Sequence, residues 1–119
     1  MSEETAVQDK NYIGGFSSKE DVLSNFNVDA SALEGGEILM AWYGYGSYDG
    51  EAFVLVRKDG KFFEVNGGHC SCYGLEDQWE LEETNITALA MKNFGGYSSE
   101  GEAATTRLHE IVAEYSAAA

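Results

Sequence analysis

A chain of 119 residues is the size of one domain, enough to bury roughly two-thirds of the surface its unfolded form exposes. Its apolar content of 44% is ordinary, and no apolar run approaches the ~18 residues that a membrane-spanning helix needs. Twenty-one acidic residues against seven Lys and Arg leave a formal charge of −14, which repels nucleic acid and anionic lipid and suits a basic partner, unless it only keeps a small protein soluble.

The polar residues 1–11 read as a flexible tail. Their opening, Met1-Ser2-Glu3-Glu4-Thr5, lacks the basic and apolar regions of a signal peptide. A cytosolic chain with reduced thiols is the expectation. Ser17 or Ser18 can cap a helix over 18–26, with Glu20 and Asp21 in the first turn, where the helix dipole favours them. Val22, Leu23 and Phe26 give that helix its apolar face.

Residues 27–36 read as a loop anchored by Val28 and Leu33. Glu37 to Tyr45 is the first strand, with Ile38, Met40 and Trp42 on one side and Leu39, Ala41 and Tyr43 on the other. A glycine-tyrosine connection then ends at the Asp49-Gly50 turn signal. Glu51 to Lys58 is the clearest strand. It sets Ala52, Val54 and Val56 against Phe53 and Leu55, so both faces are apolar and a covered central strand is predicted. Asp59-Gly60 makes a tight hairpin into a strand over Lys61 to Val65, which puts Phe63 and Val65 on one face.

Glu82-Glu83-Thr84-Asn85 reads as a helix start, capped by Thr84 or Asn85, with Ile86, Leu89 and Ala90 buried. Asn93 to Gly96 stops it. Ser98 or Ser99 opens a last helix on which Ala104, Leu108, Ile111, Val112 and Tyr115 share a face. The predicted fold class is α+β. A three- or four-stranded antiparallel meander follows an N-terminal helix, and two C-terminal helices pack on one of its faces. Residues 1–119 form a single domain.

Between sheet and last helices lies Gly67-Gly68-His69-Cys70-Ser71-Cys72-Tyr73-Gly74, which holds both cysteines and one of the two histidines. In extended backbone Cys70 and Cys72 share a face and can point at one zinc ion; His69 joins them only if the backbone bends. A fourth ligand would come from His109 or a carboxylate such as Asp49. Cys-x-Cys without a second cysteine pair is a weak zinc signal, so no cofactor is assigned and zinc stays an alternative. A cysteine nucleophile is a further alternative, but His69 adjoins Cys70 on the opposite face and is badly placed as its base. The plainest account is a folded loop with buried thiols and Tyr73, Leu75 and Trp79 as anchors.

Two acidic clusters are the candidate partner surface. One is Glu76, Asp77, Glu80, Glu82 and Glu83. The other is Glu110 and Glu114, with Glu100 and Glu102 nearby. Glu110 and Glu114 are four apart, share a helix face and have no basic residue at i±4. Tyr43, Tyr45 and Tyr48 form a secondary candidate contact surface. Without a basic groove these aromatics do not make a nucleic-acid site.

Ser47-Tyr48-Asp49-Gly50-Glu51-Ala52-Phe53, Arg57-Lys58-Asp59-Gly60-Lys61, Glu64-Val65-Asn66-Gly67, the His69-Cys70-Ser71-Cys72-Tyr73-Gly74-Leu75-Glu76 block and Gln78-Trp79-Glu80 together resemble a family of small, mostly uncharacterised bacteriophage and prophage proteins. The likeness covers about residues 47–92. Leu81 stands where that family carries a proline, and Asp77 where a glycine is more usual. The resemblance transfers no activity. It implies origin, a protein acting in the cytoplasm of an infected bacterium. Small acidic phage proteins often bind and block a host protein, in some cases by mimicking the charge of DNA, so the leading expectation is a non-enzymatic inhibitor that binds a basic surface of a host nucleic-acid-binding or defence protein. The sequence leaves its oligomeric state open.

Overall fold

The computed structural model describes residues 11–45, 50–69, 75–94 and 99–118. The fold is α+β. Five strands make one sheet in chain order: β1 (Tyr12–Gly14), β2 (Glu37–Tyr45), β3 (Gly50–Lys58), β4 (Lys61–His69) and β5 (Glu82–Thr84). Among the described residues the helices are α1 (Lys19–Asn25), α2 (Ile86–Ala90) and α3 (Ser99–Ala118), with a 3-10 turn at Ala30–Leu33.

The sheet departs from the expected meander at both ends. β2, β3 and β4 pair antiparallel as predicted, but β1 lies parallel to β2, with Ile13 opposite Trp42. The sheet is therefore mixed. Asn11, expected in a loose tail, is tied down: its carbonyl accepts from the Ala41 amide at 2.8 Å. Three residues of Tyr-Ile-Gly are too few to show alternation, and parallel pairing is non-local, so local pattern could not reveal β1. At the other end, Glu82–Thr84, read as the approach to a helix, is an edge strand. Asn85 caps α2, its side chain accepting from the Ala88 amide at 2.8 Å.

The two faces of the central strands are covered by different layers. On one side α1, the 3-10 turn and Leu75 cover Ala41, Tyr43, Ala52, Val54, Val56 and Val65. On the other, α2 and α3 cover Met40, Trp42, Phe53, Leu55 and Phe62. The central strand is accordingly apolar on both faces, and Ala52 through Val56 have no exposed surface.

Leu39 breaks the predicted alternation of β2. Glu37 and Ile38 pair with Arg57 and Val56, but Met40 pairs with Leu55, so Leu39 is an extra residue at a bulge. Ile38 consequently packs toward α1, on the face opposite to Met40 and Trp42. The helices are closely seated: a Cβ at Gly101 of α3 would stand 2.1 Å from the Phe94 carbonyl oxygen. The Thr105 hydroxyl accepts from the Phe94 amide at 2.7 Å and donates to Gly101 at 2.9 Å.

Candidate functional site

The acidic segment 76–83 forms a border along β4. β5 pairs with β4 through Glu82↔Glu64, Glu83↔Phe63 and Thr84↔Phe62. Continued along the chain, this register brings position 78 opposite Gly68. There the Gln78 carboxamide, not its main chain, makes the contact. Gln78 Oε1 accepts from the Gly68 amide and Gln78 Nε2 donates to the Gly68 carbonyl, both at 2.8 Å.

Apolar side chains anchor the border from beneath. Leu75 is buried and lies so close to Gly67 that a Cβ there would meet Leu75 at 3.1 Å and Phe26 at 3.2 Å. Trp79 meets the Phe26 ring edge-on at 5.2 Å, and its indole nitrogen donates to the Ala32 carbonyl at 3.2 Å. Leu81 packs on the same core. Asp77 turns the chain with φ +66°, a left-handed conformation glycine adopts more easily. With Leu75, Trp79 and Leu81 held inward, Glu76, Asp77, Glu80, Glu82 and Glu83 are all exposed. None of the five forms an ion pair with another described residue.

Four of the basic residues, Arg57, Lys58, Lys92 and Arg107, are engaged elsewhere. Lys58 Nζ lies 2.6 Å from Glu34, and the Arg57 guanidinium lies over the rings of Phe62 and Tyr115, 4.8 and 4.6 Å from their centres. Lys92 Nζ lies 2.8 Å from Glu64, a buried carboxylate that also accepts from Asn66 at 2.8 Å. Burial pushes the Glu64 carboxyl up. The hydrogen bonds from Asn66, Lys92 and Thr84, with the Lys92 charge, outweigh it and hold the pKa below the ordinary value.

Glu110 and Glu114 have a different environment from the one their spacing suggests. Arg107, three residues before Glu110, reaches both, at 3.0 Å and 3.7 Å, and Arg107 Nε donates to Asn11 Oδ1 at 2.7 Å. This pair shares one cation and is partly offset, on the flank of α3 that adjoins Asn11 and β1. The border at β5 lies at the opposite edge of the sheet.

Of the tyrosines, Tyr43 cannot form a contact surface: it is 4% exposed and packs on Phe16 at 5.0 Å. Tyr45 ends β2, and Tyr48 lies outside the described residues. His69 ends β4, and Cys70 and Cys72 lie outside the described residues. Among those described, no three or more His, Cys, Asp or Glu side chains are grouped to hold a metal ion. His109 Nε2 donates to the Lys92 carbonyl at 3.1 Å. No described helix is long and apolar enough to cross a membrane.

Sequence reasoning missed Gln78, Glu64, Lys92 and Arg107. A local signal existed only for Arg107, whose spacing of three from Glu110 is a helical pair. Comparison with protein-family models, with curated proteins and with solved structures finds no match.

Proposed function

We propose that this chain is a non-enzymatic binding protein that uses its acidic border to occupy a basic surface of another protein. One observation carries the reading. Five carboxylates within 76–83 are exposed along one sheet edge, and none of them is ion-paired with a described residue. Such an edge generates a local negative field that steers a basic partner and discriminates against acidic ones.

The resemblance to phage proteins supplies the setting. The partner is a host protein of an infected bacterium whose basic surface ordinarily meets nucleic acid or serves defence, and occupying that surface blocks it. The exposed border favours Glu76, Asp77, Glu80, Glu82 and Glu83 over Glu110 and Glu114, which Arg107 already partly offsets.

The test is affinity capture from bacterial lysate on the immobilised protein. A partner should be held at about 0.05 M salt and released by about 0.5 M, as the screening length falls below the spacing of the charges. A partner retained unchanged across that range would contradict an electrostatic contact.

A further inference from the structure

We infer that the β5 edge accepts an extended Lys- or Arg-bearing segment of the partner as a sixth strand. The inference rests on the proposed role of the acidic border and specifies what that border binds.

The main-chain geometry follows from Gly68. Its N–H and C=O both meet Gln78, so they point away from β3. The β3–β4 register is continuous from Gly50↔His69 to Lys58↔Lys61. Every second residue of β4 therefore faces the same way as Gly68, and Phe62 and Glu64 face β5. Their partners Thr84 and Glu82 face back toward β4. Glu83, between them, directs its N–H and C=O outward. No described strand lies beyond β5, and Glu83 is exposed. An outward main-chain donor and acceptor at a sheet edge are the features that strand addition uses.

The charges select the incoming strand. Glu82 stands across from Glu64, on the α2 side, and continuing the alternation places Glu80 on that side too. Glu83 lies opposite Phe63, on the α1 side. An added strand thus meets carboxylates on both faces, which a run of consecutive basic residues satisfies. Lys92 is already engaged with Glu64, so a new cation is needed beside Glu82. A second copy of this chain is disfavoured, because its own glutamates would face these.

The probe is a short peptide with Lys-Arg-Lys at its centre and Thr and Val on either side, titrated into the full chain at low salt. Its analogue is N-methylated through the central residues, which keeps the charge and removes the strand donors. The parent peptide should bind and slow hydrogen exchange of the Glu83 amide, and the analogue should bind at least about tenfold more weakly. Equal affinity for the two, with no protection at Glu83, overturns strand addition. If that binding is nevertheless lost on substituting Glu80→Gln, Glu82→Gln and Glu83→Gln together, the electrostatic reading stands without it. Failure of both peptides to bind overturns both.

Discussion

The Gln78 side chain closes on the main chain of Gly68 as a neighbouring strand would, with its oxygen on the N–H and its nitrogen on the C=O, each at 2.8 Å. β5 itself covers only Phe62 to Glu64 of the longer β4. The carboxamide extends the pairing past the end of β5 and holds the acidic segment against the sheet. A glutamine is suited to this because its amide carries the same donor and acceptor as a peptide group.

Gln78→Ala should cost about 1 kcal/mol, since water can reach the freed groups on exposed Gly68. Gln78→Glu should be worse at neutral pH: a carboxylate still accepts from the N–H but repels the C=O. Protonation restores a donor, so that variant should recover as the pH falls through about 4. Urea denaturation at neutral and acid pH measures both effects.

Glu64 and Lys92 tie β4 to the end of α2. The folded pKa of Glu64 lies below its ordinary value of 4.5. Its contribution is therefore complete above that value and is lost as the pH falls through the lowered folded value. Lys92→Met leaves the carboxylate without its cation. It should cost about 1–3 kcal/mol at neutral pH and shrink the loss of stability below about pH 4.5, because burial then raises the Glu64 pKa. Melting temperature against pH for the two proteins checks the sign.

Arg107 joins α3 to the residue preceding β1 and partly offsets Glu110 and Glu114. Arg107→Met should loosen β1 more than the rest of the sheet. Hydrogen exchange should accelerate at Tyr12 and Ile13 while Val54 stays protected, and global stability should fall by about 1–2 kcal/mol.

The parts of the fold that sequence revealed are those with local signals. The double-sided apolar pattern of Ala52 to Val56 identifies a central strand, and Ser18 caps α1 as predicted, accepting from the Asp21 amide at 3.1 Å. β1 was hidden because its partner lies far along the chain, and β5 because Glu82-Glu83-Thr84 also fits a helix start. Leu39 shows a third limit: a bulge reverses the face of Ile38 without changing composition. At the site, the acidic residues were visible as types, but their shared border depends on Gln78 reaching Gly68, a contact between residues ten apart.

The most direct test of the border as binding surface compares two variants of equal charge. One carries Glu80→Gln, Glu82→Gln and Glu83→Gln; the other carries Glu102→Gln, Glu110→Gln and Glu114→Gln. Circular dichroism should show both folded, with the first no less stable than the parent, since it relieves the repulsion of Glu82 by Glu64. Affinity for the captured partner is then measured at about 0.1 M salt by calorimetry. The border variant should lose at least about tenfold and the α3 variant no more than about twofold. Equal losses in the two variants would mean that net charge alone governs binding, and would contradict the assignment of the site to the β5 border.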